Sequence, residues 1–343
     1  MKIVFLYPLN RDALDFLHEN LPNDIEIIAR IRNEDYSGTP PNQDSEIIKH
    51  CKDAEILMGP YVTDEILSKN VGKLKLVLIP WAGVERVDFE LIKKYNVPIA
   101  NSHGNARTVA EHAITLMLTA SKNIIHHDQL LRKGDWSSRF KKKHSIIIQG
   151  KTVGLLGFGS IGTEIAKLLQ GFDVKIIACR NSPEKTTKEQ ALLIEKVYSN
   201  NNLHTFLKQS DIVINSLPLT EDTKSLLAEN EFEAMKENVV IVNVGRGPTI
   251  DEDAFFKYLK NGKIFVAGLD PQWHYPPRGE DKQPPHYPSV HPIHEFDNVV
   301  LSPHRAADTG HYERTHWDDV VENILHVYKG KKPFNLIDPE LEY

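Results

Sequence analysis

The sequence predicts an α/β protein of two domains, each built on a parallel sheet. Three observations carry this expectation. Short apolar runs alternate with helix-period segments through the first hundred residues, and the alternation restarts at about residue 152. The restart carries a strand followed at once by a glycine-rich turn and a second amphipathic segment, VGLLGFGSIG. The chain has 343 residues, whereas single domains usually hold about 100–200.

In the first series the strand-like runs are 2–6, 25–29, 54–58, 74–79 and 97–100, with helical patterns at 11–20, 44–52, 63–69 and 88–95. Residues 108–122 (TVAEHAITLMLTASK) read as one long buried helix, with no Gly or Pro inside. A polar stretch, 123–149, ends one unit and begins another. In the second series the runs are 152–156, 174–179, 196–198, 212–216, 239–244, 264–269 and 299–301, the last two separated by a Pro-rich loop, 271–292. Six or seven strands in this order suit a doubly wound sheet. The tail 309–328 reads as a helix with Trp317, Val320, Val321, Ile324 and Leu325 on one face. No internal repeat is visible.

Apolar residues at 41% and charged residues at 26% exclude a disordered chain, a collagen-like fibre and a coiled coil. The charge sum, 41 Lys+Arg against 47 Asp+Glu, is −6. Such a chain has no broad electrostatic reason to bind nucleic acid or an anionic membrane. With 16 His its net charge climbs quickly below neutral pH. Two cysteines, Cys51 and Cys179, make no disulfide framework and fit a reducing compartment. The opening MKIVFLYPLN breaks at Pro8, too early for a signal segment. No window reaches the roughly 18 apolar residues of a membrane helix. A cytoplasmic protein is expected.

Gly157, Gly159 and Gly162 form G-x-G-x-x-G, with Phe158, Ser160 and Ile161 between them. After a strand and before a helix, the pattern points to a dinucleotide. The first glycine allows the tight turn, the second lets the backbone approach a pyrophosphate, and the third lets helix and strand pack. The helix start then faces the phosphates. The second strand ends in Arg180-Asn181-Ser182, where NAD sites usually carry a carboxylate for the ribose 2′-hydroxyl. A guanidinium flanked by neutral donors suits a 2′-phosphate. NADP is therefore expected over NAD; the alternative is a solvated arginine that sets no preference.

Three more segments end predicted strands: 241–249 (IVNVGRGPT) with Arg246, 268–270 with Asp270, and Ser302-Pro303-His304. Open α/β sheets hold ligands at these ends. A cationic fork and a titratable imidazole there suit reduction of a 2-keto acid. Alone, a Gly-flanked Arg is often a turn residue and a lone His a solvated one; the ordered set behind a dinucleotide motif reverses that judgement.

With these residues in place, the sequence resembles the D-isomer-specific 2-hydroxyacid dehydrogenase family over nearly its whole length. The resemblance rests on Trp81-Ala82-Gly83-Val84, residues 101–112 (NSHGNARTVAEH), GFGSIG, Leu217-Pro218-Leu219-Thr220 with Thr223, NVGRG, GLD, SPH and the closing Asn335-Leu336-Ile337-Asp338. It implies a flavodoxin-like substrate domain, 1–102 with 309–343, into which a Rossmann-type coenzyme domain, 103–308, is inserted, with the site in the cleft between them. It implies that Arg246 grips the substrate carboxylate, that His304 protonates the keto oxygen as hydride reaches C2, and that amides around Gly83 and Val84 hold the carboxylate. Leu217, Pro218, Thr223, Val244 and Gly245 would line the cofactor groove, which His304 also reaches, and Asp270 would bind the cofactor by a hydrogen bond near the nicotinamide. The product would be a D-2-hydroxy acid.

One departure stands out. The family usually carries Glu five residues after that Asp, paired with the histidine; here the position is Tyr275. Either the phenol replaces the carboxylate and leaves His304 a weaker base, or Glu280 or Glu295 folds in. Arg305 is read as solvent-facing. His274, His286, His291 and His294 lie between Asp270 and Val299 without zinc spacing, so no metal is expected. The loop aromatics Trp273, Tyr275 and Tyr287 either close over a substrate or pack the loop onto the sheet. In the connector, His126, His127, His144 and Lys141–Lys143 read as a solvated face; in the resembled family this region is a dimerisation arm, which implies a homodimer. The rival reading is a cofactor-sensing corepressor of the same fold, disfavoured by the retained Arg246 and His304.

Overall fold

The computed structural model describes residues 1–32, 39–70, 72–140, 145–277, 284–308 and 312–343. Lys141–Lys143, His144 and Glu280 therefore lie outside the described residues. The chain divides into two compact units, Met1–Asn105 with Thr309–Tyr343, and Ala106–Asp308.

The first unit runs β1 (Lys2–Phe5), α1 (Arg11–Asn20), β2 (Glu26–Ile28), α2 (Ser45–Cys51), β3 (Ile56–Met58), α3 (Asp64–Lys69), β4 (Leu76–Ile79), α4 (Phe89–Tyr95) and β5 (Ile99–Asn101). Its strands pair parallel in the order β2-β1-β3-β4-β5, the flavodoxin order. Every residue of β3, β4 and β5 is buried, as a parallel sheet covered on both faces requires. Alternate side chains feed two cores. Ile3, Phe5, Met58 and Leu78 face Leu17 and Trp317, while Val4, Leu57, Val77 and Ile79 face Ile47, Ile66 and Ile92. Asn10, Asp44, Thr63 and Asp88 each cap a helix through a side-chain oxygen.

The second unit runs α5 (Ala106–Ser121), α6 (Ile124–Arg132), β6 (Thr152–Leu156), α7 (Ser160–Leu169), β7 (Lys175–Cys179), α8 (Lys188–Ala191), β8 (Lys196–Tyr198), α9 (Leu203–Gln209), β9 (Ile212–Asn215), α10 (Glu229–Ala234), β10 (Val239–Asn243), α11 (Glu252–Lys260), β11 (Ile264–Leu269) and β12 (Val299–Leu301). Seven parallel strands lie in the order β12-β11-β10-β9-β6-β7-β8. Strand order reverses between β6 and β9, so their carboxyl ends form the switch point at which such sheets bind ligands. Helix α5 packs over β10 and β11.

The chain ends in the first unit with α12 (Tyr312–Tyr328), which buries Trp317, Val320 and Ile324. Leu336 then bridges Ala100 antiparallel, and the Ile337 N–H bonds to the Ile99 carbonyl at 2.9 Å, covering the β5 edge. The connector expected to be merely polar holds α6, which buries none of its residues. Among the described residues, no helix is long and apolar enough to cross a membrane.

Candidate active site

The glycine turn lies at the switch point. Gly157 closes β6 with φ 95°, and the Ser216 hydroxyl at the end of β9 donates to its carbonyl at 3.2 Å. A Cβ on Gly162 would lie 2.4 Å from the Gly157 carbonyl oxygen, so α7 approaches the strand as only glycine allows. At Gly159, by contrast, a Cβ would meet nothing within 4 Å. Helix α7 starts there without a side-chain cap. Open space before uncapped amides is the cradle that a pyrophosphate needs, so these residues fit a dinucleotide. Arg180 follows β7 and its Nη1 lies 3.5 Å from the Gln190 amide oxygen, while Gln190 donates to Thr163 on α7 at 2.8 Å. Leu217 and Pro218 follow β9, where the Thr223 hydroxyl donates to the Pro218 carbonyl at 2.7 Å.

The Arg246 loop hangs on a buried polar lattice. Asn215 donates to Asn243 Oδ1 at 3.1 Å and to the Thr249 hydroxyl at 2.7 Å. Asn243 Oδ1 also accepts the Gly245 N–H at 3.0 Å, and its Nδ2 donates to the Arg246 carbonyl at 3.0 Å. The Thr249 hydroxyl donates to that same carbonyl at 2.6 Å. All three side chains are at most 1% exposed, so the lattice is shielded from water and holds one arrangement. A Cβ on Gly247 would lie 2.3 Å from the Gln272 carbonyl oxygen, which seats this loop against the one after β11.

After β11, Tyr275 reaches His304. The Gln272 N–H donates to the tyrosine hydroxyl at 3.0 Å, and that hydroxyl lies 3.0 Å from His304 Nδ1. The phenol thus occupies the place expected of a carboxylate. Glu295 is instead a solvent-facing residue beside His294. The Gln272 side-chain amide donates to the carbonyls of Leu269 at 3.1 Å and Ser302 at 2.9 Å, tying the ends of β11 and β12 together. His304 itself has φ 59°, left-handed and costly for a residue with a Cβ.

Asp270 is turned into the protein. Its carboxylate accepts from Ser302 Oγ at 2.5 Å and from the amides of Arg305 at 2.8 Å and Ala306 at 3.1 Å, with His112 Nε2 at 3.4 Å. Burial opposes its ionisation, but the bonds from His112, Ser302 and the two amides outweigh burial and hold the carboxyl at about 2. Arg305 pairs with Asp308 at 2.7 Å on an exposed surface.

Several described residues of the proline-rich loop pack on their own unit. Trp273 donates to the Ile250 carbonyl at 2.8 Å and packs on Phe255, His274 pairs with Glu252 at 3.1 Å, and His291 stacks on Phe256. Among the described residues no group of three His, Cys, Asp or Glu could hold a metal. In the first unit, buried Asn101 donates to the Ala82 carbonyl at 2.8 Å and steadies the turn carrying Gly83 and Val84. The supporting residues Asn215, Asn243, Thr249, Gln272, Ser302 and His112 were not among the candidates read from sequence. Asn243, Thr249, Ser302 and His112 lie inside the motifs quoted above, which could have flagged them; Asn215 and Gln272 carried no such signal.

The model of the D-isomer specific 2-hydroxyacid dehydrogenase NAD binding domain matches residues 114–306. A hydroxypyruvate reductase from Thermotoga maritima is 33% identical, over 90% of this chain and 97% of its own length. A D-3-phosphoglycerate dehydrogenase from Archaeoglobus fulgidus is 29% identical over 100% of this chain, which spans only 60% of that relative's length. Among solved structures, an acyclic imino acid reductase in complex with NADPH and D-Arg superposes with TM-score 0.75 at 26% identity, over 98% of this chain and 100% of the other. A match over more than half the chain, on the same glycine turn, Arg246 loop and β11 end described above, places this chain in the D-isomer-specific 2-hydroxyacid dehydrogenase family.

Proposed function

We propose that this chain reduces a small 2-keto acid to the D-2-hydroxy acid with NAD(P)H. The observation that carries the reading is the His304 imidazole beyond β12, engaged at Nδ1 by Tyr275, 3.0 Å away. Proton exchange with a substrate is assigned to Nε2. The reduced nicotinamide supplies a hydride to the keto carbon when bound. Arg246 binds the substrate carboxylate and polarises the keto oxygen, and the amides of Gly83 and Val84 hold the carboxylate. His304 delivers a proton to the oxygen that gathers charge, and removes it in reverse. Gly157, Phe158, Gly159, Ser160, Ile161 and Gly162 cradle the pyrophosphate, while Leu217, Pro218, Thr223, Val244 and Gly245 line the rest of the groove. Glyoxylate and hydroxypyruvate are the first substrates to try, in keeping with the reductase among the relatives.

The test is loss of NAD(P)H absorbance with a panel of 2-keto acids. Turnover is expected with at least one. Arg246→Ala and His304→Ala should each lower kcat/KM by about a thousandfold or more. Turnover that survives both substitutions sinks the assignment.

NADPH is the preferred cofactor in this reading, because Arg180, Asn181 and Ser182 stand where a carboxylate would select NADH. The complex of the imino acid reductase with NADPH supports it. Arg180→Asp should raise KM for NADPH about tenfold or more and leave that for NADH nearly unchanged. Two buried free thiols, Cys51 and Cys179, fit the cytoplasm. The working form is a homodimer that covers the exposed apolar residues of the 123–149 segment.

A further inference from the structure

Gln190, on the short helix α8, reaches three other parts of the second unit. Its Nε2 donates to the Thr163 hydroxyl on α7 at 2.8 Å, and that hydroxyl donates its own proton to the Gly159 carbonyl at 2.7 Å. A hydroxyl whose single proton is committed can only accept from Gln190, so the amide nitrogen faces α7. The amide oxygen accepts the Thr187 N–H at 3.1 Å. A backbone N–H only donates, so both contacts demand the same orientation of the side chain. Oε1 in that orientation lies 3.5 Å from Arg180 Nη1. The backbone of Arg180 is fixed separately, its N–H bonding to the Tyr198 carbonyl at the end of β8 at 3.0 Å.

We infer that Gln190 is a positioning residue that orients Arg180 for a ribose 2′-phosphate. An arginine gives up rotamer freedom when it grips a phosphate, and a contact that holds the guanidinium beforehand lowers that cost. A guanidinium carries five N–H groups, so one can rest on an amide oxygen while a pair meets phosphate oxygens. An amide, unlike a carboxylate, does this without setting a negative charge beside the phosphate. The relay from Gly159 through Thr163 and Gln190 also ties the aim of Arg180 to the turn proposed to cradle the pyrophosphate. Gln190 is in addition the third helical residue of a capping box, its N–H bonding to the Thr187 hydroxyl at 3.2 Å. Capping α8 makes no use of the bond to Thr163 on another helix. The inference rests on the NADPH preference proposed above.

The experiment measures the Kd of NADPH and of NADH, which differ only in the 2′-phosphate, by fluorescence titration of the full chain. The unaltered protein should bind NADPH at least about tenfold more tightly. Gln190→Met keeps the length of the side chain and removes its amide; it should raise the Kd of NADPH about fivefold or more and leave that of NADH within about twofold. In an Arg180→Ala background the same substitution should change the Kd of NADPH by less than about twofold, because its effect passes through the arginine. Thr187→Ala takes away the cap hydroxyl but keeps the Thr187 N–H, and should leave both values within about twofold. Equal weakening of the two nucleotides by Gln190→Met makes the residue part of the scaffold and overturns the inference. An undiminished effect in the Arg180→Ala background overturns it, and so does Thr187→Ala matching Gln190→Met. A preference for NADPH that Gln190→Met leaves intact removes the inference alone, whereas an unaltered chain that binds NADH as tightly as NADPH removes the cofactor preference and the inference together.

Discussion

His304 depends on a hydroxyl where a carboxylate would carry charge. With its hydroxyl fixed by the Gln272 N–H, Tyr275 either donates to Nδ1 or accepts from it, so it serves both protonation states of the ring without favouring the charged one. Tyr275→Glu places a negative charge there and should move the pH midpoint of the reduction rate upward by about one unit or more. Tyr275→Phe removes the orienting bond and should lower kcat about tenfold while that midpoint stays put. A midpoint unmoved by the glutamate would show that the ring does not sense this position. A second histidine acts on stability instead. Burial lowers His316 to about 4, with Asp319 opposing part of the shift. The unfolded chain then takes up the proton first. The contribution of His316 is complete above about pH 6.5 and declines as pH falls toward 4, by on the order of 3 kcal/mol. Thermal unfolding from pH 7 to 4.5 should therefore show a steeper loss in the unaltered protein than in His316→Leu.

At the level of elements, strand ends are held by polar groups that no periodicity reveals. Asn215 at the end of β9 supports the Arg246 loop through Asn243 and Thr249. Asn215→Ala strips two donors from buried acceptors and should cost about 2–3 kcal/mol. It should also lower kcat/KM, because the guanidinium rides on that loop; thermal unfolding with steady-state kinetics checks both. Gly162→Ala should raise the Kd of NADPH at least about tenfold, since the new methyl would displace the turn at Gly157; fluorescence titration reads it. The strands themselves were plain in the sequence. Parallel strands buried on both faces read as unbroken apolar runs, and each expected run contains an observed strand or overlaps one, as 97–100 overlaps Ile99–Asn101. Three expected helices, 44–52, 63–69 and 88–95, start one residue early because Asp44, Thr63 and Asp88 are caps with extended backbone. Arg246 and His304 stood out through glycine and proline neighbours, and Tyr275 through the residue it replaces. Gln272 did not, and His112 closed a quoted motif without its role showing, because their partners lie elsewhere along the chain and only folding brings them together.

For the molecule as a whole, α6 and the chain after it pose the remaining physical question. An amphipathic helix ordinarily buries its apolar stripe. Here Ile124, Ile125 and Leu131 are exposed, followed by Trp136 at 59%, Phe140 at 79% and Ile147 at 65%. Ile146 and Ile148 of the same segment pack on the core of the second unit, whereas these six stay exposed. Six large apolar side chains exposed within residues 124–147 resemble the core of an interface more than an ordinary surface. In the homodimer proposed above, a second copy would supply the same apolar residues in a self-complementary contact. Trp136→Arg together with Phe140→Asp should then turn a dimer into a monomer, read by sedimentation or light scattering at micromolar protein. The glycine turn proposed to cradle the cofactor, residues 157–162, should survive in that monomer, with the Kd of NADPH within about threefold. An unaltered chain that is monomeric at those concentrations would leave this apolar surface to some other partner.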